Sequence, residues 1–429
     1  MTLFGLPETR VRALIAGVRG VLQPEMDVET AGDCFARAAW TGISEPGDGV
    51  AGLLVTSLGA RTALTTVLDA WPPEELARRV RDSAGATADT ADGDDLASLI
   101  AQGQQRWRPR LSSAEVIHSL ERANRASVTL LVPDDRLWPS SLDDLGVHAP
   151  IALWWRGRPA ALESLPQSIA LVGARAATGY GEHVAMEASA GLVDRGFAIV
   201  SGAAYGIDGM AHRAALASDG ITVAFLAGGA DRFYPSGHDA LLTRIAESGA
   251  VLSELPCGAA PTKWRFLQRN RLIAAASAAT VVLEAGWRSG SLNTAGHASA
   301  LGRPLGAVPG PVTSPTSAGC HRLIREYDAI CVTTAAEMAE LVGQRSIQVP
   351  LDLPENLPHS GAADDRSAGA GRTSDQIRVF DALSARAPRH VGDIARRSGL
   401  SREAVQAALG GLDLEGAVRE RDSGWCRVK

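Results

Sequence analysis

At 429 residues, with 45% hydrophobic and 21% charged residues, the chain has the make-up of an ordinary globular protein and is long enough for two or three domains. Its formal net charge of −6 argues against a surface that coats nucleic acid all over, so any such contact must be a local patch. No apolar stretch reaches the ~20 residues of a membrane span, the N-terminus lacks a signal-peptide pattern, and Cys34, Cys257, Cys320, Cys331 and Cys426 are scattered without CxxC, zinc or disulfide spacing; together these read as a cytoplasmic protein with reduced thiols.

In chain order, residues 1–105 show helix-like apolar periodicity, as in TRVRALIAGVRGVL and ARTALTTVLDAW, interrupted by a polar Gly/Asp/Thr loop at 84–94. This predicts a small helical domain. The stretch 128–157 alternates apolar runs with Pro and Asp, as strands and turns do on the way into a larger α/β unit. From Ser168 the runs SIALVGAR, FAIVSG, ITVAFLAGG, AVLSEL, TVVLEAG and PLGAVPG alternate with helical stretches. Such alternation predicts an extended Rossmann-like parallel sheet covered on both faces, spanning 106–343, with ligand-binding potential at the carboxyl ends of its strands. Residues 344–373 are rich in Pro, Gly, Ser and Asp and read as a flexible linker. Residues 374–429 read as helix, helix, turn, helix and hairpin, a winged-helix pattern.

The strand ends carry the candidate chemistry. Gly173 and Arg175 follow the first strand, where a glycine turn lets a backbone approach a phosphate and Arg supplies donors; the alternative is a tight turn with a surface Arg. A dinucleotide is disfavoured, because no GxGxxG follows the strand and the next strand ends in Ser201-Gly202, where such sites place an acid. No Walker-type phosphate loop is present. The turn from Ser201 through Gly202 and Gly206 leaves an open backbone cradle, with Asp208 read as a helix cap and His212 as a structural hydrogen-bonding residue.

The run Lys263-Trp264-Arg265-Phe266-Leu267-Gln268-Arg269-Asn270-Arg271 is the most informative. It holds cations and aromatics with no acid, and contains the sole internal lysine, since all other basic residues except Lys429 are Arg. Cations that track a backbone and aromatics on which bases stack are what a sequence-tolerant single-strand site requires, although Arg269 and Arg271 would also suit structural ion pairs. A further turn around Ser289, Gly290 and Ser291 offers amides and hydroxyls for a second phosphate, or simply a helix cap. No His/Cys/carboxylate cluster has metal spacing, and no nucleophile with a base stands out, so neither cofactor, metal nor catalytic residue is expected.

VGAR, SGAAYGID, the YP of Tyr234-Pro235, the SE of Ser253-Glu254, RNRLIA, EAGWRSGSLNTA and GRPLGAVPG, in this order, resemble the motifs of the DprA (DNA-processing protein A, Smf) family, and the tail resembles that family's winged helix. The resemblance implies a non-enzymatic mediator of natural transformation that forms a homodimer, binds single-stranded DNA, protects incoming DNA and loads RecA. It also implies that Arg175, the 201–208 turn, Lys263 to Arg271 and Ser289-Gly290 line the DNA groove, and that the N-terminal helices are of a SAM or helix-hairpin-helix kind. His238, Leu267 and Tyr327-Asp328-Ala329 depart from the family pattern. The alternative function is a Rossmann-like nucleotide phosphoribohydrolase, whose PGGxGTxxE-type motif is not matched by EAGWRSGSLNTA. A duplex-reading regulator is the third reading, and the acidic balance of SREAVQAALGGLDLEG speaks against it.

Overall fold

The computed structural model describes residues 3–20, 22, 23, 25–84, 93–343, 372–421 and 423–428. Residues 85–92 of the polar loop and 344–371 of the expected linker lie outside the described residues. The chain opens with helices α1 (Glu8–Arg19), α2 (Val28–Ile43), α3 (Gly49–Leu58), α4 (Ala60–Leu68), α5 (Pro73–Ala84), α6 (Gly93–Trp107) and α7 (Ser113–Arg125). Short polar residues start several of them: Asp27 accepts from the Thr30 amide at 2.7 Å, and Asp48 and Ser112 cap α3 and α7 in the same way. Phe35, Trp40, Ile100 and Trp107 form the buried centre of this layer.

The helical layer is not sealed off from the sheet. Its core also takes in Leu130 of β1 (Thr129–Leu131) and Trp154 of β2 (Leu153–Gly157), and Trp154 Nε1 donates to Thr41 Oγ1 at 3.1 Å. Arg19, buried, ion-pairs with Asp135 at 2.7 Å and donates to the Leu130 carbonyl. Helices and antiparallel edge thus share one core, and the helical layer reaches Arg125 instead of stopping near residue 105.

The α/β unit continues through α8 (Pro159–Glu163), β3 (Ser168–Gly173), α9 (Gly179–Val193), β4 (Ala198–Ser201), α10 (Ile207–Ala217), β5 (Thr222–Leu226), α11 (Asp239–Ser248) and β6 (Ala250–Ser253). It is completed by α12 (Lys263–Ala276), β7 (Ala279–Glu284), α13 (Ser291–Ala300), β8 (Leu305–Ala307), α14 (Ala318–Glu326), β9 (Ile330–Cys331) and α15 (Ala335–Gly343). Among the described residues these strands make one nine-stranded sheet in the order β1-β2-β6-β5-β4-β3-β7-β8-β9. It is parallel from β6 to β9, whereas β2 runs antiparallel to β6 and β1 antiparallel to β2.

Alternation along each strand explains the two covered faces. Ile169 and Leu171 of β3 point, with Ile199 and Val281, into a core closed by α9, α10 and α15. Ala170 and Val172 point the other way, with Val200, Phe225 and Val282, against α12, α13 and α14. After β3 the chain fills one side with β4 to β6 and then the other with β7 to β9, so the topological switch lies at β3.

The winged helix comprises α16 (Ser374–Ala382), α17 (Val391–Ser398), α18 (Arg402–Leu414) and the hairpin β10 (Val418–Arg421) and β11 (Gly424–Arg427), around Val379, Ile394, Val405 and Leu412. Among the described residues no single helix is long and apolar enough to cross a membrane.

His212 on α10 is fully buried; Thr222 Oγ1 lies 2.7 Å from its Nδ1, and Nε2 has no hydrogen-bond partner among the described residues. Burial, helped by His238, Arg269 and Arg213, pushes its pKa down from 6.5 to about 3. The unfolded chain therefore binds a proton that the native state refuses, and stability falls as pH drops from about 6.5 toward 3. Urea unfolding followed between pH 7 and 4 is expected to be less steeply pH-dependent in His212→Gln, by up to about 1.4 kcal/mol per pH unit.

Candidate nucleic-acid interface

The carboxyl ends of β3, β4, β5 and β7 converge on the amino end of α12, and the candidate residues divide there into exposed and internal groups. Gly173 has a packing reason: a Cβ would lie 2.6 Å from Ile207 Cγ1 and 2.8 Å from the Glu284 carbonyl. Glu284, buried at the end of β7, accepts from the Thr178 amide at 2.9 Å and from Thr178 Oγ1 at 2.6 Å. The protein's own carboxylate thus occupies the amino end of α9, where a Rossmann fold otherwise receives a pyrophosphate. This gives a physical reason for the missing dinucleotide signature.

The β4–α10 turn is held from within. Ser201 Oγ donates to the Leu171 carbonyl at 2.6 Å, and Gly206, at φ +77°, leaves no room for a Cβ against the Ala174 and Arg175 carbonyls. Asp208 does not cap α10, whose N-cap is Gly206. Instead its Oδ2 reaches back to the Gly202 and Ala204 amides at 3.1 and 3.4 Å. Burial raises the pKa of Asp208, and the nearby Arg269 charge opposes that shift.

Arg269 and Arg271 are buried, 5% and 3% exposed, against the expectation that both present charge to a ligand. The Arg269 guanidinium lies on Gly202, donating to the Gly202 carbonyl at 2.7 Å and to the Phe225 carbonyl; burial lowers its pKa to about 10. Gly202 is required because a side chain would occupy the same space. Arg271 grips Glu254 through both oxygens at 2.7 Å and donates to the His148 carbonyl at 3.1 and 2.9 Å, while Glu254 also accepts from the Gly47 amide. Arg271 is thus a rivet between the sheet and the N-terminal layer, with no donor turned toward the groove.

The exposed group lies over this scaffold. Arg175 is exposed, and its guanidinium carbon stands 4.8 Å from the centre of the Phe266 ring. Tyr234, half exposed, tilts against the same ring at 5.8 Å, and Lys263, exposed, lies one turn before Phe266 on α12. Asn270 Nδ2 ties α12 to the Gly290 carbonyl and to Asn293 Oδ1, both at 3.3 Å. Gly290 is exposed with open space where a Cβ would stand, and Ser289 Oγ lies 2.8 Å from Ser291 Oγ at the start of α13.

Two further aromatics reach this surface, Tyr205 within the 201–208 turn and Tyr234 of the YP motif. Tyr205 is 49% and Tyr234 50% exposed, and the Tyr205 hydroxyl accepts from the Gly237 amide at 3.3 Å. Flat rings, a fork-shaped cation and an exposed ammonium around open backbone can hold bases by stacking and phosphates by charge. No group of His, Cys, Asp and Glu among the described residues is arranged to hold a metal ion.

Residues 129–343 match the DNA recombination-mediator protein A family, and residues 363–424 match the DprA winged helix domain. A Mycobacterium tuberculosis protein (strain H37Rv) carrying the name DNA processing protein DprA is 47% identical over 317 residues, 71% of this chain and 78% of that one. Protein Smf of Escherichia coli K12 is 35% identical over 291 residues, covering 67% and 76% of the two chains. The X-ray structure of DNA processing protein A from Streptococcus pneumoniae aligns with a TM-score of 0.54 at 27% identity, over 71% of this chain and 95% of that one.

Proposed function

The chain belongs to the DNA recombination-mediator protein A family, and from that premise we propose that it binds single-stranded DNA in the groove beside α12 and passes the strand to a RecA recombinase. One observation carries the reading. Arg175, Phe266, Tyr234 and Lys263 form a cationic and aromatic surface at the strand ends, over a scaffold in which Arg269 bonds the Gly202 carbonyl and Asn270 the Gly290 carbonyl. Stacking and phosphate contact together suit a strand whose bases are unpaired; a duplex hides those faces. The protein acts in this reading as a homodimeric, cytoplasmic mediator of incoming DNA, without catalysis of its own.

Fluorescent oligo-dT and a matched duplex, titrated with the full chain at one salt concentration, test the reading. Single strands are expected to bind at least about tenfold more tightly, given the ~1–3 kcal/mol each stacked base contributes. RecA filament formation on the oligonucleotide is then expected to accelerate when the protein is added. Equal affinity for duplex, or none for single strands, contradicts the proposal.

A further inference from the structure

We propose that the winged helix closes over one end of this groove and competes with the DNA strand for it. The inference rests on the groove reading and adds a regulatory contact to it. Three successive residues of the cationic run are engaged in the docked arrangement. The Lys263 amide donates to Asp381 Oδ2 of α16 at 2.9 Å. The Arg378 guanidinium carbon, also on α16, lies 5.1 Å from the centre of the Trp264 ring. Arg265 pairs with Glu45 at 3.1 and 2.7 Å.

Glu45 anchors the closed form. It also pairs with Arg110, and Arg110 Nε donates at 2.7 Å to the Arg396 carbonyl of α17. Gly399, at φ +71° after α17, packs on Glu45 so closely that a Cβ would overlap its side chain. Arg378 donates to the Ser398 and Gly399 carbonyls at 2.8 and 3.1 Å, which ties the stack on Trp264 to this contact. Burial pushes the Glu45 carboxyl pKa up, but Arg265, Arg110 and Arg378 outweigh it and hold the pKa well below the usual carboxylate range. The seat of the winged helix therefore carries a fixed negative charge among arginines.

The chemistry offered by the winged helix is that of a nucleotide. Asp381 brings an oxyanion to the Lys263 amide at the start of α12, and Arg378 brings a flat group to the Trp264 indole face; a strand continuing past Phe266 would bring a phosphate to that amide and a base to that indole. Both cannot be seated together. Closure thus lowers the apparent affinity for DNA in proportion to the open fraction, and bound DNA opens the winged helix.

The test uses the full chain and oligo-dT, comparing wild type, Asp381→Ala, Arg175→Ala and the double variant by anisotropy, with hydrogen exchange on the wild type. Asp381 is only half buried, and a melting curve matching wild type confirms that its variant is folded. Asp381→Ala is expected to bind about three- to tenfold more tightly, while Arg175→Ala weakens binding in both backgrounds. Oligo-dT is expected to speed exchange in residues 374–382 and 391–399. If Asp381→Ala leaves affinity unchanged or lowers it while Arg175→Ala still weakens binding, the groove stands and the closure proposal is overturned; protection of the winged helix by oligo-dT overturns it too. If Arg175→Ala is without effect in either background, the groove reading fails and takes this proposal with it.

Discussion

Replacing Arg271 with alanine is expected to destabilise the protein by about 3–5 kcal/mol, the cost of leaving a buried carboxylate without its partner. The side chains of Arg271 and Glu254 are 4% and 10% exposed, and their paired contacts at 2.7 Å are supplemented by the His148 carbonyl and the Gly47 amide. Removing the guanidinium leaves Glu254 with one amide donor in a site largely closed to water. It also cuts the joint between α12, the end of β6 and the loops that carry Gly47 and His148. The urea midpoint measures the loss. Replacing both partners with leucine is expected to cost less than the single change, because no uncompensated charge then remains. A loss below about 1 kcal/mol for Arg271→Ala would mean that the pair adds little and that the residue is free for another role.

Phe266→Ala is expected to weaken oligo-dT binding by about 1–3 kcal/mol while leaving the salt dependence unchanged, since it removes a stacking face and no charge. The ring has Arg175 at 4.8 Å and Tyr234 and Arg269 each at 5.8 Å, so its loss also uncovers the groups that flank it. Phe266 is half buried and lies in the first turn of α12, ahead of the buried stretch from Arg269 onward and outside the sheet's apolar core, so its truncation leaves that core intact. Anisotropy titrations at several salt concentrations separate the two contributions. A changed slope with unchanged affinity at low salt would mean that Phe266 positions Arg175 and does not itself meet a base.

The parallel sheet was legible because its strands are apolar on both faces, and runs such as SIALVG and TVVLEA announce that without help from context. The antiparallel edge was less so: β1 has three residues and joins a core formed with the helical layer, while β9 is two exposed residues. Within the cationic run, sequence identified the charges but could not sort them. Arg271 is neutralised by Glu254, Arg269 faces Asp208 and backbone carbonyls, and Arg265 is held by Glu45, all partners brought in by the fold from elsewhere in the chain. Of the four cations, Lys263 is the exposed one. Tyr205 and Tyr234 were visible as letters within recognised motifs, but only burial distinguishes an exposed ring from a core one. The docking of α16 on α12 left no local signal, because Asp381 and Arg378 look like ordinary surface charges on an amphipathic helix.

The most direct measurement is the salt dependence of oligo-dT binding for wild type and Arg175→Ala. A cation in contact with phosphate releases counterions, so its removal is expected to weaken binding and reduce the slope of log K against log salt by about 1. An affinity and slope identical to those of wild type would contradict a groove built around Arg175 at the end of β3.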